Sequence, residues 1–201
     1  MNRTYLILLA GLIACTAKKE NTNAKIQGDS VKTAIKPAPT VIQKQSEPDT
    51  LKGSLDAIAM GKIGNVDVTI SYHSPAVRDR VIWGGLVAYD KVWVTGAHSA
   101  TSIEFSGDVI INSKTISAGK YAFFTIPGKS EWTTILNKNW QQHLTDSYDE
   151  KLDVVRVKVK PETKNTIQER LRYEIKTNGE EGEIAVDWEK TEISLPVKLI
   201  K

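Results

Sequence analysis

From residue 53 onward, apolar side chains return at every second position, and this period constrains the fold more than any other feature. Val66, Val68, Ile70 and Tyr72 alternate with polar partners, as do Val155, Val157 and Val159, then Leu171, Tyr173 and Ile175, then Ile184, Val186 and Trp188. Successive side chains of an extended chain point to opposite faces, so each run predicts a half-buried strand. Turn chemistry separates the runs at Gly64-Asn65, Ser106-Gly107-Asp108, Pro127-Gly128-Lys129-Ser130 and Asn178-Gly179. About ten short strands at this spacing predict an all-β fold, an antiparallel β-sandwich of jelly-roll-like type. Tyr121-Ala122-Phe123-Phe124 breaks the alternation as a strand buried on both faces does, whereas Arg156, Lys158 and Lys160 share one face and read as solvated sheet. Val92-Trp93-Val94 reads as one more strand, and only residues 138–150 and 161–169 leave room for short helices.

The N-terminal residues obey a different rule. Arg3 precedes an apolar run from Tyr5 to Ala14, too short to span a bilayer as a helix, which ends Leu12-Ile13-Ala14-Cys15. This arrangement resembles the lipobox of bacterial lipoproteins, and the resemblance implies a signal peptide over residues 1–15 and acylation of Cys15, palmitate included. The membrane is then a partner through that lipid. Thr16, where Asp would signal retention at the inner membrane, favours by the same resemblance an outer-membrane lipoprotein facing the periplasm or the cell surface. Cys15 is also the single cysteine of the 201 residues, so no intrachain disulfide forms.

Residues 16–52 carry three Pro and no aromatic residue among Lys, Thr, Asn and Gln, the composition of a disordered tether. A coil of that length reaches about 35 Å. Residues 53–201 then form a single β-sandwich domain. The formal charge of +3 does not belong to that domain: the tether holds seven Lys against four acids, and 19 basic residues face 20 acidic ones from Gly53 to the end. A nearly neutral domain excludes nucleic acid as a partner.

Four stretches in fixed order, YHSPAVRDRVIWGGLVAYDKVWVTGAHSATSIEF, ISAGKYAFFTIPGKSEWTTILNK, DVVRVKVKP and VDWEKTEISLPV, resemble the bacterial family called domain of unknown function 2911 (DUF2911). The resemblance runs from Ser54 to Lys201 and implies an envelope location; it implies no activity, substrate or catalytic residue. Where the family has Asn in a Gly-Ala-Asn-x-Ala-Thr stretch, this chain has His98, so a role that requires this imidazole is not family-wide.

Candidate binding residues gather around the aromatic, glycine-rich stretch from Arg80 to Thr101. Trp83, Tyr89 and His98 lie within it, beside Arg80, and an aromatic face next to Arg or His can grip a sugar ring. Trp140, in the polar run Asn137-Lys138-Asn139-Trp140-Gln141-Gln142-His143, is the aromatic expected to be most exposed, whereas Trp83, Trp93, Trp132 and Trp188 also suit a sandwich core. His73, His98 and His143 raise the question of a three-imidazole zinc site, yet none are paired as HxH or HExxH. Ser99 and Ser102 lie near His98 without a nucleophile elbow. Asp146, Asp149, Glu150 and Asp153 resemble a calcium loop in charge alone, and Glu104 with Asp187 is one possible pair of glycosidase carboxylates.

These residues point to a non-catalytic, lipid-anchored binding module for a saccharide or other envelope ligand, with no cofactor. Two other readings stay open: a subunit that docks another envelope protein, and a hydrolase, with or without a metal, working through one of the histidines.

Overall fold

The computed structural model describes residues 40–43 and 50–200. Cys15 and the proposed signal peptide lie outside the described residues. Ten strands form two antiparallel sheets, one of six strands and one of four. In chain order they are β1 (Leu55–Ile63), β2 (Val66–Ser74), β3 (Ser102–Phe105), β4 (Val109–Ile111), β5 (Lys114–Ile116), β6 (Gly119–Ile126), β7 (Trp132–Asn137), β8 (Asp153–Val159), β9 (Glu162–Asn178) and β10 (Glu181–Leu199). The larger sheet runs β1-β2-β3-β6-β7-β8 and the smaller β5-β4-β10-β9. The alternating runs are thus strands of an antiparallel sandwich, as expected from their period.

The core lies between the sheets. Val66, Val68, Ile70 and Tyr72 of β2 face Leu171, Tyr173, Ile184 and Val186 of the smaller sheet in one buried cluster with Ile103, Phe105, Phe123 and Leu136. Gly64 opens the β1–β2 turn with φ +55°, and the pairing Ile63↔Val66 makes this a two-residue hairpin with glycine first. β10 reverses its facing midway. Val186 and Trp188 point inward, Glu189 takes φ 56° with register shifts on either side, and from there Ile193, Leu195 and Val197 point inward.

Three sequence expectations are corrected. Residues 161–169 are not helical, because Glu162 to Glu169 belong to β9. In the 138–150 stretch, residues 138–149 are loop, and one 3-10 turn follows at Glu150–Leu152. Val92-Trp93-Val94 is not a strand either: Trp93 makes an isolated bridge to Thr125, within a long irregular segment between β2 and β3.

Residues 40–43, in the stretch read as tether, run beside β1. Thr40 exchanges backbone hydrogen bonds with Asp56 and Ile58 at 2.8 and 3.0 Å, and Ile42 is buried. Just before β1 the chain is fastened by Arg170, 2% exposed, whose guanidinium donates to the carbonyls of Gly53 (3.1 Å), Ser74 (2.8 Å) and Leu51 (2.8 Å).

Candidate functional site

The outer face of the six-stranded sheet is built from the residues that alternate with the core set. In the β1–β2 hairpin Asp56 stands opposite His73, and Ser71 stands opposite Ser102 of β3, which pairs onward with Ala122 of β6. His73 and Asp56 are thus neighbours fixed by strand register, and His73 Nε2 lies 2.7 Å from Asp56 Oδ1. Both side chains are about three-quarters covered, at 20% and 24% exposure.

Two loops fold over this face. The chain makes paired bonds between Trp93 and Thr125 at 2.7 and 3.0 Å, swings outward, and rejoins the sheet where Thr101 accepts from Phe123 N–H at 2.8 Å. Within the excursion, Val94 and Ala100 pack on Ala122, Phe124 and Ile135, a second small core on the outer side of the sheet. This explains why the aromatic run in β6 is buried on both faces. Gly96 lets the loop lie against β2, since a Cβ there would sit 2.8 Å from Thr101 Oγ1 and 3.1 Å from the His73 carbonyl. His98, at φ 60°, then presents its ring to that of His73 edge-on, with centroids 5.1 Å apart.

The second loop, between β7 and β8, is stitched to the first by backbone bonds. Leu144 N–H donates to His98 O at 2.6 Å and Ala100 N–H to Gln142 O at 2.9 Å. Its far end is held by a polar knot around Asp153. Tyr148 Oη donates to Asp153 Oδ2 at 2.8 Å, Arg156 Nε reaches the same oxygen at 2.7 Å, and Asn137 Nδ2 reaches Oδ1 at 2.6 Å. Burial, with Asp153 adding to it, pushes the Tyr148 phenol up to about 12, so it remains a donor at neutral pH.

Of the residues singled out in sequence, the fold brings His98, His73 and Trp140 to this face. Trp140 is half-buried against the second core, and Lys120 Nζ lies 4.4 Å from its ring centroid, where a stacked sugar would sit. His143 bonds Asp146 through Nδ1 at 2.9 Å on the exposed side of the second loop. Arg80, Trp83 and Tyr89 lie in another part of the β2–β3 segment. The Arg80 guanidinium donates to the carbonyls of Ala76 and Val77, and Tyr89 packs on the turn at Gly84. Trp83 joins Trp93, Trp132 and Trp188 in a cluster with ring centroids 4.7 to 6.4 Å apart. Rings at that spacing are in contact with one another, which is core packing rather than an open cage. The indole N–H groups of Trp83 and Trp188 are buried there without acceptors among the described residues.

Among the described residues, no three His, Cys, Asp or Glu side chains are grouped to hold a metal ion. The acidic run is taken up locally: Asp149 caps Lys151 N–H at 3.0 Å, Asp146 bonds His143, and Asp153 forms the knot above. Glu104 and Asp187 cannot flank one glycosidic bond, because they face outward from opposite sheets of the sandwich.

Asp56 is the residue that site reading missed. The signal was present in the hairpin: seven positions outward from Ile63 and Val66 stand Asp56 and His73.

The model of a family described as "Protein of unknown function (DUF2911)" covers residues 54–197. No curated protein and no solved structure matches the chain.

Proposed function

The chain belongs to the DUF2911 family, and from that premise we propose that it is a lipid-anchored envelope protein whose domain is a non-catalytic binding module for a hydroxyl-rich ligand, a saccharide foremost. The ligand lies over the outer face of the six-stranded sheet, at Asp56, His73 and His98. One observation carries this reading: a bonded Asp–His pair, held on rigid strands, with a second imidazole set against it by a loop that the sheet itself braces. Carboxylate and imidazole groups together offer both acceptors and donors, the complement of a sugar hydroxyl, and strand placement fixes them before the ligand arrives. Arg80, Trp83 and Tyr89 leave the proposed contact set, and Trp140 serves as a wall.

A thermal-shift series on the full chain with soluble peptidoglycan fragments and envelope glycans tests the reading. A ligand at 100 times its Kd stabilises by about 2.7 kcal/mol. The expected result is a shift with at least one glycan that His98→Ala abolishes, and a shift retained in that variant refutes the placement. Acylation is tested separately, by the mass of the Cys15 peptide from envelope material.

The Asp56–His73 bond also favours a second reading. A carboxylate that orients an imidazole is the arrangement of a general base and its positioning partner. Hydrolysis of a glycan or ester that is lost in His73→Gln would move the assignment to a hydrolase.

A further inference from the structure

The β2–β3 segment presents another surface, built at the turn that Arg80 holds. Arg78 and Asp79 take φ 49° and 54°, and Leu86 N–H donates to the Val81 carbonyl at 3.0 Å. Ile82 and Val87 turn inward and are buried, which leaves Val81 and Leu86 side by side at the tip with 75% and 51% of their surface exposed. The next elements add to the patch. Ala76 bridges Arg170, and Val77 N–H donates to Glu169 O at 2.8 Å, which joins the turn to the β9 segment that carries Ile167, 37% exposed. The Arg78 guanidinium donates to the Leu51 carbonyl, and Leu51 is 53% exposed.

The turn therefore carries two exposed aliphatic side chains, Val81 and Leu86, with the cations Arg78 and Arg80, and the segments bonded to it add exposed Leu51, Lys52 and Ile167; Asp79 is the acid on the same turn, and Glu169 is buried beneath it, accepting from Arg78 N–H at 2.9 Å. The tip is braced as well, since the Arg80 guanidinium donates back to the Ala76 and Val77 carbonyls.

The chain reaches this neighbourhood soon after Thr40, which pairs with β1. Gln168 Nε2 donates to the Gln43 carbonyl at 3.3 Å, and 25 positions of sequence separate Cys15 from Thr40. Cations beside exposed aliphatics match the two attractions of a bilayer interface, the anionic headgroups and the first carbons below them. A covalent tether raises the effective concentration of any surface beside its point of attachment, so even a small patch is kept in contact.

We propose that the surface formed by Leu51, Val81, Leu86 and Ile167, edged by Lys52, Arg78 and Arg80, docks on an anionic lipid bilayer, the membrane that holds the N terminus. The identity of that membrane rests on the lipid-anchor reading; the contact itself does not.

The test uses the chain from Thr16 onward, which contains every described residue and neither the apolar run nor Cys15. Its partitioning is measured by flotation at low salt with phosphatidylglycerol vesicles and with phosphatidylcholine vesicles. The expected result is binding to the anionic vesicles, weakened about tenfold both on phosphatidylcholine and by Val81→Asp with Leu86→Asp. Met60→Asp, which replaces a residue 70% exposed on the outer face of β1, leaves it unchanged. All three substituted side chains point into solvent, and melting curves verify that each variant is folded.

Equal partitioning of the double variant and the unaltered chain, or no binding to anionic vesicles, overturns the proposal. A crosslink to an envelope protein that the double variant loses, with vesicle binding unchanged, assigns the patch to a protein partner and overturns it equally. An unacylated Cys15 peptide would remove the anchor and leave the vesicle result standing.

Discussion

Arg170→Met removes the clamp that fixes the start of the domain, and its cost follows from where the three accepting carbonyls lie. Those of Leu51 and Gly53 belong to exposed residues and regain water when the guanidinium is lost, so their bonds contribute little net energy. The Ser74 carbonyl belongs to a fully buried residue and has no such exchange. Leaving it short of a charged donor costs about 2 kcal/mol, and loosening the 50–53 segment adds about 1 kcal/mol. Methionine fills part of the vacated volume and carries no charge, which limits the packing loss. A total near 3 kcal/mol corresponds to a fall in Tm of about 6 to 12 °C for a domain of this size. Thermal melts of the full chain measure it, and limited trypsin digestion at Lys52 should accelerate in the variant. A fall below about 2 °C with unchanged cleavage would show that the clamp is idle and refute the reasoning.

The outer side of the β9–β10 hairpin supplies two predictions of opposite sign. Burial pushes the Asp187 carboxyl up against the pull of Arg172, with Glu192 adding to the rise, and among the described residues Asp187 Oδ1 has no hydrogen-bond partner. A raised folded-state value means that stability is present below the ordinary range and is lost as pH climbs through the shifted one. Asp187→Asn should therefore raise Tm at pH 7 and have little effect near pH 3, and equal destabilisation at both would count against the assignment. Glu192 is also pushed up by burial, but Lys176 at 2.7 Å and Lys164 at 3.2 Å outweigh this and hold it below the usual carboxylate range. Its stabilisation is complete above the ordinary value and fades as pH falls through the lowered one, so Glu192→Gln should cost about 2 kcal/mol at pH 7 and progressively less on acidification, read by urea melts. Gly64→Ala should cost about 2 kcal/mol in the same melts, from a positive φ and a Cβ placed 2.2 Å from Leu199 Cδ1.

How legible a segment was in sequence depended on whether one of its faces met water. β2 has a polar, partly exposed face and an apolar buried one, and its period shows this directly. Around Gln168 to Leu171 the strand is buried on every side by the 50–53 and 75–78 segments, so Gln168, Glu169 and Arg170 are covered polar residues and no alternation survives. Val92-Trp93-Val94 misled for the converse reason: Trp93 packs toward the core while Val94 caps the second core on the outside, which imitates a strand with two faces. The aromatic residues weighed as ligand contacts could not be told from packing ones, because a large ring suits both roles until its neighbours are known. The Asp56–His73 pair was within reach of sequence, since the Gly64-Asn65 turn sets the register of the whole hairpin.

The most direct test of the proposed site uses the fact that the chain has only three histidines. With 15N label confined to histidine, the imidazole signals of the full chain report His73, His98 and His143 separately while soluble peptidoglycan fragments and envelope glycans are titrated in. Binding over the Asp56–His73 pair predicts that the His73 and His98 signals move together with one saturation curve, ahead of His143, and that Asp56→Asn weakens the response. Saturable binding by the same chain with the His73 and His98 signals unmoved would contradict it.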